Sequence, residues 1–175
     1  MIDINFILIQ LIGAIGYTLL SISFYRKEKR QILFMQIIAN IFFTIHYFLL
    51  SGITGAVSNV VGLTTYTFIY FLDKKKMGIQ KNIVALIMTI ILFIAVMFTY
   101  ENIYSILPFL AFFMTITSFL NGNENRIRFV GIFVAICWLI YAVVYVSYAA
   151  IVFETITLIA TAFSLIKNHK MDWKH

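Results

Sequence analysis

Glu154 is the residue of this sequence whose position most demands a chemical explanation. It is an acid deep within an apolar run, 149–167, whereas Asp3, Glu28, Asp73, Glu101, Glu124 and Asp172 all lie at or outside the ends of such runs. A charged side chain at mid-bilayer costs about 2.5 to 3.5 kcal/mol on insertion scales, so such groups face a protein interior or a water-filled cavity and are usually functional. The competing reading is a protonated acid that only hydrogen-bonds a neighbouring helix. Gln36, Asn40 and Tyr47 share one face at helical spacing, with Phe43 close beside them. They can line a cavity or act as interhelical glue. His46 is offset from that face and can relay protons or serve as a hydrogen-bonded structural histidine. Thr157, Thr161 and Ser164 continue the Glu154 face, and Ser58 and Thr65 share another, but hydroxyls of this kind often bond their own backbone. No phosphate-binding glycine loop, nucleophile elbow, zinc-protease motif or paired cysteines occur, and His169 and His175 lie in the tail. The lone Cys137 reads as packing. We therefore expect no enzyme activity, no catalytic residue, no metal site and no cofactor.

These residues need elements to hold them, and the composition says which. The chain is 62% apolar and 11% charged, with a mean hydropathy of +0.97, whereas a soluble globule carries about 25% charged residues. A membrane-crossing helix takes about 20 apolar residues. Seven such segments are read between polar breaks: 5–24, 31–50, 54–72, 82–100, 103–120, 126–146 and 149–167. The residues before the first run carry no Lys or Arg and the run is long, so it is expected to remain as the first helix rather than to be a cleaved signal.

The breaks alternate in charge. Arg26, Lys27, Lys29 and Arg30 belong to the first, Lys74, Lys75, Lys76 and Lys81 to the third, Arg126 and Arg128 to the fifth, and Lys167, Lys170 and Lys174 to the tail. The second, fourth and sixth breaks have none. Under the positive-inside rule the N-terminus is expected outside and the C-terminus in the cytoplasm. The net charge of +6 is thus a matter of topology, and attraction to anionic inner-leaflet lipids accounts for it. Short juxtamembrane clusters without interleaved aromatics argue against nucleic-acid binding.

An offset of 95 residues aligns the first three segments with the last three without a gap. Ser23-Phe24 falls on Ser118-Phe119, Ile32 on Ile127, Phe34 on Phe129, Ile45 on Ile140 and Phe68 on Phe163. Two parallel three-helix units need one extra crossing between them, which the fourth segment supplies. The expected fold is all-α, seven transmembrane helices arranged 3+1+3, with repeat one over 5–72, a linker helix over 82–100, repeat two over 103–167 and a short tail over 168–175. Parallel repeats of this kind are known in transporters, with a solute site near the midplane between them. The offset pairs Glu154 with Asn59 and Trp138 with Phe43, so each repeat has an aromatic followed sixteen residues later by an amide or acid.

The stretch from Ser23 through Arg30, then His46-Tyr47-Phe48-Leu49-Leu50-Ser51-Gly52 with Gly55-Ala56 and Asn59, then Cys137-Trp138-Leu139-Ile140 with Glu154, resembles the bacterial inner-membrane YgjV family. That family is grouped with the MtN3/PQ-loop superfamily, which includes SWEET and SemiSWEET sugar transporters and PnuC-type vitamin transporters. The resemblance implies a multi-pass protein of the bacterial cytoplasmic membrane and a substrate pocket built from Phe43, Asn59, Trp138 and Glu154, with the aromatics stacking on a sugar or nucleobase. Asn40 and His46 are further candidates for it. Where SWEET-like proteins carry Trp and Asn in each repeat, this chain has Phe43 and Glu154, and the acid could favour a cationic group or a coupled proton. The prolines that act as pivots in SWEET-type helices are represented only by Pro108, opposite Gly13. The resemblance also implies a homo-oligomer, a trimer. Two functions follow: a facilitator of a small polar organic solute, or a receptor or assembly factor of the same fold in which Glu154 and Asn59 only lock helices together.

Overall fold

A computed structural model describes residues 4–24, 26, 28–75, 77–121 and 124–172. Asp3, Lys27, Lys76, Lys174 and His175 lie outside the described residues. So do the side chains of Phe24, Lys29, Glu124, Ile127, Arg128, Phe163, Ser164, Lys167, His169, Lys170 and Asp172. Hydrocarbon offers no partner to a backbone N–H or C=O, so a chain this apolar must satisfy its backbone within each segment. The result is seven helices among the described residues: α1 (Ile4–Phe24), α2 (Lys29–Leu49), α3 (Ile53–Lys74), α4 (Gly78–Phe98), α5 (Ile106–Asn121), α6 (Glu124–Val144) and α7 (Tyr148–Asp172). Five segments are long and apolar enough to cross a membrane, and the apolar parts Phe129–Val144 and Tyr148–Ile159 are shorter.

Several helix ends differ from those read in the sequence, because a helix need not end where its apolar run ends. Charged and polar residues at a membrane border are solvated and extend it. α4 begins at Gly78 rather than at 82, and Lys81 in its first turn pairs with Asp73 at the end of α3. α7 likewise runs on to Asp172 rather than stopping at 167. The fifth segment opens with a 3-10 turn, Ile103–Ser105, before α5. Asn102 caps that turn by accepting the Tyr104 N–H at 2.9 Å, and the Ser105 hydroxyl accepts from the Glu101 N–H at 3.2 Å. Pro108 falls in the first turn of α5, where its missing N–H removes no helical bond.

The α2–α3 and α6–α7 connections are one turn made twice. Ser51 and Val146, 95 positions apart, are the two described non-glycine residues in the left-handed region, at φ 62° and 53°. Each lets the next residue's N–H reach back: Gly52 to the Tyr47 carbonyl and Ser147 to the Ala142 carbonyl, both at 2.9 Å. That left-handed residue with its long backward bond closes helix C-termini economically. Ser23 and Ser118 match in the same way, each hydroxyl donating to the carbonyl three residues earlier, at 2.6 and 2.7 Å.

α1 and α3 both pack on α2, and α5 and α7 both pack on α6. The two groups meet where α1 touches α7 and α3 touches α5, while α4 lies across α3 and α5. α4 buries only Ala85, Leu92 and Val96 and leaves Ile83, Leu86, Ile90, Phe93 and Met97 exposed, the pattern of a lipid-facing helix. In lipid, helices associate through close packing of small residues rather than through a hydrophobic drive. Gly55 provides such a contact: a Cβ there would stand 2.6 Å from the Tyr141 ring. Gly13 provides another, since its Cβ would stand 2.7 Å from the His46 ring. Gly55→Ala is therefore expected to lower stability by about 1–3 kcal/mol, whereas Gly78→Ala, with nothing within 4 Å, changes it by less than about 0.5 kcal/mol. Thermal unfolding of the two purified variants in detergent checks this.

Candidate functional site

Between the two helix groups lies a cavity of about 110 Å³, enough for several water molecules. Its wall is assembled in pairs. Asn59 and Glu154, Phe43 and Trp138, Asn40 and Ala135, Gln36 and Gly131, Gly62 and Thr157, and Tyr17 and Phe112 all line it, and the members of each pair stand 95 positions apart. The two groups of helices thus present matching positions to one space. Five of the six residues singled out in the sequence, Asn59, Glu154, Trp138, Phe43 and Asn40, are brought together here.

Glu154, on α7, is 4% exposed. Its carboxyl lies close to the Tyr17 hydroxyl, which in turn stands 3.4 Å from the Tyr47 hydroxyl. No Lys, Arg or His is among the described lining residues. The two amides are held by their own helices. Asn59 donates from Nδ2 to the Gly55 carbonyl at 2.9 Å, and Asn40 donates from Nδ2 to the Gln36 carbonyl at 2.7 Å. Each bond fixes the side chain against its own helix. Aromatic rings complete the wall: Trp138 stacks on Tyr47 at 5.5 Å and 29°, and Phe43 lies 4.5 Å from Tyr17. Of the weaker candidates, Gln36, Tyr47, Ser58 and Thr157 line the cavity. Thr65 and Thr161 do not, and the Thr65 hydroxyl bonds its own helix at the Val61 carbonyl. Cys137 is a half-buried free thiol away from the lining.

His46 is the exception among the six: it does not line the cavity. Its fully buried ring lies beyond it, Nδ1 at 2.8 Å from the Ile9 carbonyl and Nε2 at 2.6 Å from the Ser147 hydroxyl. A carbonyl only accepts, so Nδ1 carries the proton and, in the neutral ring, Nε2 accepts from Ser147. The same Ser147 oxygen accepts the Ala150 N–H at 3.3 Å in the first turn of α7. One ring thus ties α1, α2 and the start of α7 together. Tyr141 stands at the matching position of α6, and its hydroxyl accepts the Gly55 N–H at 2.8 Å, at the start of α3. Gln10 adds two bonds across the groups, to the Val146 carbonyl at 3.2 Å and from the Ala149 N–H at 3.0 Å. These contacts form a layer at the end of α2 and the start of α3 and α7, opposite the end that carries Arg30, Asp73 and Lys81.

Sequence reasoning missed Tyr17, Tyr66, Phe112, Thr115 and Phe119 as lining residues. Apolar and aromatic residues are common in membrane helices, so none of them stands out alone. The pairing of Tyr17 with Phe112 at the repeat spacing was the signal available.

A model of the bacterial inner membrane protein family Imp-YgjV matches residues 7–172, and the chain belongs to that family. No curated protein and no solved structure matches it. Family and helices together make it a multi-pass protein of the bacterial inner membrane.

Ser147→Ala removes the donor to His46 and the acceptor of the Ala150 N–H at once. It is expected to cost about 1–3 kcal/mol. In a double-mutant cycle with His46→Ala, the two losses should fall short of additivity by about 0.5 kcal/mol or more, measured as thermal stability in detergent; strict additivity would mean that the two side chains do not act together.

Proposed function

We propose that this YgjV-family protein is a facilitator of a small polar organic solute, sugar-, nucleoside- or vitamin-like, which it carries without chemical conversion. In this reading α1–α3 and α5–α7 are parallel repeats and α4 is the crossing that keeps them parallel, the 3+1+3 plan of SWEET-like members of the PQ-loop superfamily. The N-terminus is outside and the C-terminus cytoplasmic. The observation that carries the reading is the wall made of residue pairs 95 positions apart that meet around a buried acid with no cationic side chain among the described lining residues. A site between parallel repeats at mid-membrane depth is where such transporters hold their solute. The duplicated turn at Ser51 and Val146 supports the repeat, and the distribution of Lys and Arg supports the orientation.

Each wall residue then has a task. Asn59 and Asn40 offer their amide oxygens, Trp138 and Phe43 present ring faces, and Glu154 compensates a positive group or carries a proton. His46 takes the structural of the two parts open to it rather than a place in the pocket: with Ser147, Tyr141 and Gln10 it seals the outer end. Rocking one three-helix unit against the other would open that layer.

A thermal-shift screen of the purified protein with sugars, nucleosides, vitamins and amino acids is expected to find a solute that raises its melting temperature. A ligand at about 100 times its Kd stabilises the folded state by about 2.7 kcal/mol. Glu154→Gln and Asn59→Ala should abolish both that response and uptake of the same solute into proteoliposomes while the variants remain folded. Unchanged uptake by both variants would sink the proposal. A loss of melting temperature in both, with no solute raising it in the unaltered protein, would instead favour a receptor or assembly factor in which these residues only lock helices.

A further inference from the structure

We infer that the solute is a small organic cation whose positive charge is alkylated or delocalised, as in a quaternary ammonium or an N-alkylated aromatic ring, and that it sits against Glu154 within a cage of aromatic rings. This deepens the transport reading above and rests on it.

The first argument is charge. Among the described lining residues Glu154 is the one acid, and no Lys, Arg or His accompanies it. A carboxyl so deeply buried can hold its charge only beside a positive partner, and the described wall provides none. An anionic solute finds no cation to meet it, and a neutral one leaves the carboxyl uncharged. A cationic solute supplies the missing charge when it enters.

The second argument concerns the rings. Tyr17, Phe43, Tyr47 and Trp138 all line the cavity and lie against one another, with Trp138 also edge-on to Tyr141 at 5.8 Å. Ring faces attract cations through the aromatic quadrupole, Trp most strongly, and cages of rings are the usual receptors for alkylated ammonium groups. A bare metal cation is a poor fit, since hard cations demand six or more oxygen ligands and this wall is largely aromatic.

Trp138 makes the test direct. The chain has two tryptophans, so Trp173→Phe leaves Trp138 as the sole indole and its fluorescence as the reporter of the cavity. Tetramethylammonium, choline and N-methylpyridinium are titrated against this protein in detergent, together with 3,3-dimethylbutan-1-ol, the uncharged carbon isostere of choline. At least one of the cations should give a saturable response, with choline binding at least about tenfold more tightly than its isostere. Glu154→Gln should reduce that preference to less than about threefold, and Glu154→Asp, which keeps the charge, should retain it. Equal affinity for choline and its isostere overturns the inference, as does a preference that survives Glu154→Gln, or the absence of any saturable response to all three cations. If Glu154→Gln does not fold, the choline and isostere pair on the Trp173→Phe protein decides alone. A saturable response to the isostere or to a sugar without preference for charge would leave a solute-binding cavity standing and remove only its cationic specificity. The transport reading itself fails only by the broader solute screen.

Discussion

A polar group inside hydrocarbon has only the protein to bond to, and this constraint organises the molecule at every scale. It makes the chain helical throughout its described apolar segments. It also sends hydroxyls back to their own helices, as Thr18 to the Ala14 carbonyl at 2.8 Å and Thr89 to the Ala85 carbonyl at 2.7 Å. Among the described residues, no buried side-chain nitrogen or oxygen lacks a hydrogen-bond partner. The constraint acts most strongly where a helix must end. At Ser51 and Val146 a left-handed residue is accepted for the sake of the backward bond that follows it, although such a conformation is strained for the β-branched valine. The same need fixes His46, whose two ring nitrogens meet one partner from α1 and one from the start of α7.

What was legible in the sequence follows from the same physics. Apolar runs of membrane-spanning length announce themselves because a single charge inside them is costly, and Glu154 announces itself for the identical reason. The spacing of 95 was visible because Ser23 and Ser118 stand out against an apolar background, and the structure gives them one geometry. Glu154, Asn59, Asn40, Trp138 and Phe43 meet at one cavity because a repeat that preserves helix packing also preserves which positions face inward. Helix ends were less legible. The apolar run marks where lipid stops, whereas the helix continues through solvated residues such as Gln80 and Lys81 until backbone bonding or the next turn ends it.

His46 shows what residue type alone leaves open. A lone intramembrane histidine can relay protons or be a hydrogen-bonded structural group, and helical periodicity sets it only slightly to the side of Phe43. Its use is decided by Gly13, which leaves room for the ring, and by Ser147, which lies 101 positions away. Neither contact leaves a local mark in the sequence. The repeat spacing does, in retrospect: it pairs His46 with Tyr141 and Ser147 with Gly52, and in the fold His46 contacts Ser147 while Tyr141 lies against Gly52 and bonds Gly55. A contact and its counterpart have different chemistry but the same place.

That combination, duplicated backbone with divergent side chains, bears on how such a protein could work. Duplication gives the two three-helix units equivalent packing, so a rocking motion can be shared between them. Divergence gives the cavity two unlike sides: Gln36, Asn40 and Tyr17 of the first unit face Gly131, Ala135 and Phe112 at the matching places of the second, and Asn59 faces Glu154. In the proposed transport reading, a solute held there has one preferred orientation. On the same reading, the layer of His46, Tyr141 and Gln10 has to be weak enough for the solute to move it. Each of its bonds, those of His46, Tyr141 and Gln10, contributes about 0.5–1.5 kcal/mol net, so opening the layer costs on the order of a few kcal/mol. A ligand shifts such an equilibrium only by its difference in affinity between the two states. For a charged solute, that difference need only come from how completely Glu154 and the surrounding rings enclose it in each.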